Sequence, residues 1–383
     1  MMGICTVQAE DLVSVCDISG NVLSTACDLG GETIFNDEPS DYTKYDTKYQ
    51  KLILDTRDEW AADYRADDSS IPLLIHTDQH GYLNSAHKQT FDYLAKCIRW
   101  DETSAIVGLG DACAAVYDMS ELNAMTSCLS GISKQKQINL AGNHDVWANK
   151  KEGSSYFYSI TGNWDALTGT YFNNSSFGIH HEYDNRGNGY VIDAERKVKY
   201  CMFATWYFGT AGGEENQPYY HYKLTSAVAE YMIDMLSAKD GYDIIVLSHI
   251  QPAHGLRDWK QPTTDGNAEI TAQKTLGCIS YDYSIDNLIV DRKQKNSGIL
   301  LDADGNEHPY DFSQCTSDIL CWLSGHEHID YYCKIGNVPV VVFDAYRYDN
   351  VPLFMLNVHR NGKINVWKFD EALNVYSYQI SVS

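Results

Sequence analysis

Five short apolar runs each end in residues able to hold a cation or move a proton. Ile71-Pro72-Leu73-Leu74-Ile75 leads into Asp78-Gln79-His80-Gly81, Ala105-Ile106-Val107-Gly108-Leu109 into Gly110-Asp111, and Ile138-Asn139-Leu140 into Gly142-Asn143-His144-Asp145. Downstream, Ile244-Ile245-Val246-Leu247 runs into Ser248-His249, and Ile319-Leu320-Cys321-Trp322-Leu323 into Gly325-His326-Glu327-His328. Carboxylates, a carboxamide and imidazoles are donors of intermediate hardness that suit Mn, Fe or Zn and serve Mg and Ca less well. Each cluster alone is ordinary, since Gly-Asn is turn chemistry and a single His is commonly a core residue. Their recurrence at five strand ends is what points to shared chemistry. Two cations about 3.5–4 Å apart need a bridging ligand, and a carboxylate with two oxygens is the natural one. Asp111, alone at its strand end, is the candidate bridge.

The runs are short and apolar enough to be strands buried on both faces. Between them lie helical patterns: Phe91, Leu94, Ala95 and Ile98 after an Asn84-Ser85 cap, Leu122, Met125 and Leu129 within 120–129, and Val228, Tyr231, Met232 and Met235 within Ser226–Leu236. Alternating strands and helices predict a mainly parallel sheet whose ligands gather at the carboxyl ends of the strands. Tyr190-Val191-Ile192-Asp193 and Tyr200-Cys201-Met202-Phe203 predict a hairpin entering a second sheet. Residues 338–343 predict a strand, and Phe354–Val358 with 364–369 a hairpin around Arg360-Asn361-Gly362.

The expected organisation is an N-terminal extension or cap over 1–70, a main domain over 71–350 with an insertion at about 251–317, and C-terminal strands over 351–383. Within the extension, Val13-Ser14-Val15-Cys16 and Val22-Leu23-Ser24 predict a hairpin, and 49–64 an amphipathic helix. The basic run Arg292-Lys293-Gln294-Lys295 reads as a solvated loop, with contact to a leaving group as the alternative. His76, His180, His181 and His254 stand outside the recurring pattern and read as ordinary histidines.

With 383 residues, 44% of them hydrophobic, the chain can bury a large core. Its net charge of -23 argues against sequence-reading nucleic-acid binding and against an anionic membrane, both of which need a basic footprint. A phosphate substrate survives that argument, because bound cations invert the local potential. Eleven cysteines without any C-x-x-C pair predict a reducing compartment, and no basic leader or long apolar run is seen, so a cytoplasmic location is expected.

The order D-x-H (Asp78-Gln79-His80), G-D (Gly110-Asp111), G-N-H-D (Gly142-Asn143-His144-Asp145), lone His (Ser248-His249) and G-H-x-H (Gly325-His326-Glu327-His328) resembles the calcineurin-like metallophosphoesterase superfamily over roughly 71–350. The resemblance implies an α/β fold, a four-layer α/β/β/α sandwich of two mixed sheets flanked by helices, carrying two metal ions at the strand rim. It places Asp78, His80 and His328 on one metal, Asn143, His249 and His326 on the other, and Asp111 between them. It gives His144 a role beside the scissile phosphate, assisting the leaving oxygen, with Asp145 orienting its imidazole. Two departures are mild: Ser248 stands where Gly often precedes the histidine, and Ala112-Cys113-Ala114 where polar residues are commoner.

The implied reaction is hydrolysis of a small phosphomonoester or phosphodiester, the diester favoured, by attack of a metal-bridging hydroxide. The chain also resembles metallophosphoesterases of phages and prophages. The alternative is therefore a catalytically silent or virion-associated binding module on the same fold. A complete ligand set favours the enzyme.

Overall fold

The computed structural model describes residues 7–9, 12–16, 22–29, 32–36, 47–81, 85–114, 119–146, 181–182, 188–203, 224–252, 284–344, 353–369 and 375–381. His180, His254 and most of the aromatic 154–222 stretch lie outside them.

Two sheets carry the five apolar runs. The first has six strands in the order β19 (Val375–Ser381), β18 (Lys363–Phe369), β17 (Phe354–Val358), β5 (Ile71–His76), β6 (Ala105–Gly108), β7 (Gln137–Asn139). Its β5, β6 and β7 are parallel, and the C-terminal strands join antiparallel through β17 on β5. The second has seven strands in the order β15 (Tyr331–Ile335), β16 (Val338–Val342), β14 (Ile319–Ser324), β11 (Asp243–Ser248), β10 (Val198–Phe203), β9 (Gly189–Asp193), β8 (His181–Glu182). Here β10, β11, β14 and β16 run parallel, while β15 at one edge and β9 and β8 at the other are antiparallel. β1 (Val7–Ala9), β2 (Leu12–Cys16), β3 (Val22–Leu29) and β4 (Glu32–Asn36) form a separate antiparallel meander.

Strand side chains alternate between faces, and that alternation makes the layers. Ile71, Leu73, Ile75, Val107, Tyr200, Met202, Ile245, Leu247, Leu323 and Leu356 fill the space between the sheets. The opposite faces meet helices. α1 (Thr47–Ala66), α2 (Ser85–Cys97) and α3 (Met119–Cys128) cover Leu74, Ile106 and Met355 of the first sheet. α5 (Ser226–Leu236) and α6 (Ser284–Gln294) cover Ile244, Val246 and Trp322 of the second. The result is helix, sheet, sheet, helix, as the resemblance implies. A single helical turn, α4 (Asn143–Val146), sits at the rim.

The segment expected to be an insertion contributes regular structure where it is described: α6, then a ribbon of β12 (Ser297–Leu301) and β13 (Glu307–Asp311). The basic run is not a solvated loop. Arg292 is buried in α6, donating to Leu236 O at 2.6 Å and Ser317 Oγ at 3.1 Å over the Phe312 ring, because the helical period turns it onto the second sheet's covering layer. No described helix is long and apolar enough to cross a membrane.

The chain's N-terminal helix is locked to its C-terminal strands. Trp60 Nε1 donates to Leu356 O, Asn357 Nδ2 donates to Trp60 O and Asp63, and the His359 ring lies between Asp67 (2.8 Å) and Asp63 (3.2 Å). Burial opposes the charge of Asp63, yet hydrogen bonds from Asn357 and Asn365 and the His359 ring outweigh it, and His359 and Ser69 likewise hold Asp67 below the ordinary range. Such carboxyls bind fewer protons folded than unfolded. Their stabilisation is complete above the ordinary value of about 3.9 and fades as pH falls through the lowered values. The double variant Asp63→Asn/Asp67→Asn is expected to melt several degrees lower than wild type at pH 7 and to converge with it near pH 2, as followed by circular dichroism. An equal offset at both pH values would contradict the pairing.

Candidate metal centre

Every candidate ligand lies just beyond a strand's carboxyl end, and the sheet seam brings both halves together. Asp78 and His80 follow β5, Asp111 follows β6 and Asn143 opens α4 after β7, while His249 follows β11 and His326 and His328 follow β14. The backbone must turn sharply there. Asp78, His80, Asp111, His326 and His328 have φ between 48° and 79°, five of the eight non-glycine residues with positive φ among those described. That conformation costs an L-residue about 1–2 kcal/mol, and its concentration here marks a site held in place by its surroundings.

Two close approaches explain motif glycines. A Cβ on Gly142 would collide with the Asp111 carboxylate and amide, and one on Gly325 with Thr77 Oγ1 and Asp78 Oδ2. Each glycine lets one rim segment lie against a carboxylate belonging to another.

The side chains form three overlapping groups, each with its donor atoms within 4.8 Å of one another: Asp78 with His80 and His328, Asp111 with His249 and His326, and Asp111 with His80 and His144. The first two match the ligand sets drawn from the motifs, with the Asn143 side chain outside the described residues. The third shows where they join. Asp111 Oδ2 lies 3.2 Å from His249 Nε2, 3.9 Å from His80 Nε2 and 3.8 Å from His144 Nε2. In the first group, Asp78 Oδ1 is 3.2 Å from His328 Nε2 and 3.7 Å from His80 Nε2.

These residues fit cations by three observations. Asp78 and Asp111 are 0% and 1% exposed, yet Asp78 Oδ1 has no hydrogen-bond partner. His249 Nδ1 faces Leu109 O at 2.9 Å and His80 Nδ1 faces Ala114 O at 3.2 Å. A carbonyl can only accept, so each ring donates from Nδ1 and leaves Nε2 as the nitrogen that faces the carboxylates, the orientation a metal-bound histidine takes. Electrostatics agree. Burial disfavours a charged His249, but Asp111 and then Asp78 overcome it and push the imidazole up to about 9. A site with that pull on protons also attracts metal ions.

Asp145 differs from expectation. It does not orient the His144 ring: Oδ2 accepts the amides of Asp111 and Gly142, and Oδ1 that of Cys113, all at 2.8 Å. The α4 turn swings Asp145 back toward the β6 end, so sequence adjacency to His144 is not contact. Burial and the Asp111 charge raise its carboxyl to about 7 against the pull of those amides. His144 itself is the more open group, its side chain 19% exposed and its ring packed edge-on to His80 at 4.6 Å, while its amide donates to Asp111 Oδ1.

The two departures from the pattern have local answers. Ser248 Oγ donates to Ile250 O and accepts from Trp322 Nε1. Ala112 and Cys113 bury their side chains under the helices while the Cys113 amide binds Asp145. His76 is a buried histidine paired with Gln79 Nε2. Motif reasoning missed three supports. Glu121 accepts the Ala114 amide, Gln251 donates to Glu327 between the two rim histidines, and Lys368 of β18 pairs with Asp330 and Asp344 of the other sheet just past His328.

No protein-family model matches the sequence, and no curated protein matches it. Among solved structures, the chain is similar to a purple acid phosphatase from yellow lupin (Lupinus luteus) seeds, at 12% identity and a TM-score of 0.43 over 82% of this chain and 54% of that one. It is also similar to a phosphopantetheinyl hydrolase from Mycobacterium tuberculosis (12%, TM-score 0.37, 72% and 90%) and to a putative 5'-nucleotidase from Staphylococcus aureus (12%, TM-score 0.38, 82% and 54%). The chain thus spans about half the length of the first and third of these. The helix, sheet, sheet, helix order and the gathering of the motif residues at one rim agree with what the sequence resemblance to the calcineurin-like metallophosphoesterases implies.

Gly142→Ala is expected to displace Asp111 and to abolish tight Mn²⁺ uptake at both groups while leaving the far-ultraviolet circular dichroism unchanged. Calorimetric titration of metal-free protein checks this, and wild-type uptake by the variant would contradict the close approach.

Proposed function

We propose that this chain is a two-metal phosphoester hydrolase acting on a small phosphate ester. The observation that carries the reading is the position of Asp111 Oδ2, one buried carboxylate oxygen facing the imidazoles of both ligand groups. Asp78, His80 and His328 would hold one ion, His249 and His326 with Asn143 the other, and Asp111 both. When bound, the pair supplies Lewis acidity that lowers the pKa of a water to near neutrality and neutralises charge on the phosphoryl oxygens.

The chain's own residues do the rest. Asp145, through the amides of Asp111, Cys113 and Gly142, ties the 111–113 backbone to the 142 turn and so restrains Asp111. His144, on the open side and near Asp111, would give a hydrogen bond or proton at Nε2 to the leaving oxygen. A diester, carrying less negative charge than a monoester, suffers less repulsion from a chain of net charge -23. The seven buried free cysteines among the described residues support action in a reducing, cytoplasmic setting.

Metal-stripped protein reloaded with Mn²⁺ is expected to hydrolyse bis-p-nitrophenyl phosphate faster than p-nitrophenyl phosphate. His144→Ala is expected to lower kcat by about 10²–10⁴ while keeping its metal content, whereas Asp111→Ala loses both. Metal binding with no turnover of either ester would instead favour the binding-module reading.

A further inference from the structure

Glu121 belongs to no motif, yet its carboxylate touches both the segment that carries His80 and the one that follows Asp111. It lies in the first turn of α3. Oε2 accepts the Ala114 amide at 2.8 Å. Oε1 packs against Gly81, whose φ is 70°, so closely that a side chain at that position would collide with it.

These two contacts bracket His80. Its amide donates to Asp111 O at 2.9 Å, the next amide, of Gly81, donates to Ala112 O at 2.8 Å, and its Nδ1 faces Ala114 O at 3.2 Å. His80 is held at a left-handed φ of 48°, a conformation that relaxes unless its surroundings oppose it. The carbonyl that fixes the ring belongs to the very residue whose amide Glu121 grips. Freeing Ala114 would free the ring.

We propose that Glu121 is a positioning residue for the first cation site: by clamping Ala114 and Gly81 it sets the rotation of the His80 ring, so that Nε2 faces Asp78 and His328. The proposal rests on the two-metal reading. The Ala114 bond needs an acceptor oxygen, which the amide of Gln also offers and Ala does not. An acidic residue in a first helical turn also favours the helix dipole, and that role alone would lower stability without choosing between the two sites.

The test is calorimetric Mn²⁺ titration of metal-free wild type, Glu121→Ala and Glu121→Gln, with His80→Ala identifying the step that belongs to the first site. Glu121→Ala is expected to weaken that step about 10–100-fold, the range for residues that orient ligands, and to leave the other step unchanged. Glu121→Gln is expected to restore it. Wild-type affinity at both steps in Glu121→Ala, equal weakening of both, or a Gln variant as impaired as Ala would each overturn the proposal. If wild type takes up a single ion, lost in His80→Ala, the two-metal reading fails while the Glu121 comparison at that ion still decides this one. No ion uptake by wild type would overturn both.

Discussion

Two carboxylates buried without basic side chains beside them set the terms for the rest of the rim. Asp78 and Asp111 stand among five imidazoles, and no lysine or arginine among the described residues pairs with either. Removing an anion from water costs several kcal/mol unless an opposite charge compensates. Neutral imidazoles offer lone pairs rather than charge, although the two carboxylates draw protons toward His80 and His249. Cations at the rim would complete the balance. Without that demand, five left-handed non-glycine residues and two glycines pressed against carboxylates have no evident use.

The apolar layers supply what the rim consumes. Strand positions alternate between the inter-sheet core and the helix-covered faces, and burial at about 25 cal/mol per Å² makes each layer strongly stabilising. That framework is assembled from distant sequence. The strand β5, which leads into Asp78 and His80, pairs on one side with β6 and on the other with β17, close to 280 positions later by residue number. Lys368, in the strand beyond β17, reaches across to Asp330 and Asp344, so the loop bearing His326 and His328 is tied to both sheets.

Much of this was legible in the sequence because strand-end chemistry repeats. Apolar runs of strand length, each followed by a donor and three of them broken first by Gly, located the rim, and the 3.6-residue spacing located α2, α3 and α5. What could not be read depended on where a chain segment returns in space. Asp145 looked like a partner for its neighbour His144, but a helical turn sends adjacent side chains about 100° apart and delivers this one to amides of another strand end. Glu121 sits ten positions after Asp111 in an unremarkable helix. Only the return of α3 beneath the 111–114 loop gives it a role. Arg292 looked like part of a solvated basic run until its helix turned it inward.

The shared use of Asp111 is the centre of the account, and electron paramagnetic resonance of metal-free protein reloaded with Mn²⁺ addresses it most directly. Two ions bridged by one carboxylate at about 3.5–4 Å are expected to give a spectrum of exchange-coupled Mn²⁺ at two equivalents per chain, reverting in Asp111→Ala to the six-line signal of isolated ions. A six-line spectrum from wild type at two equivalents would contradict it.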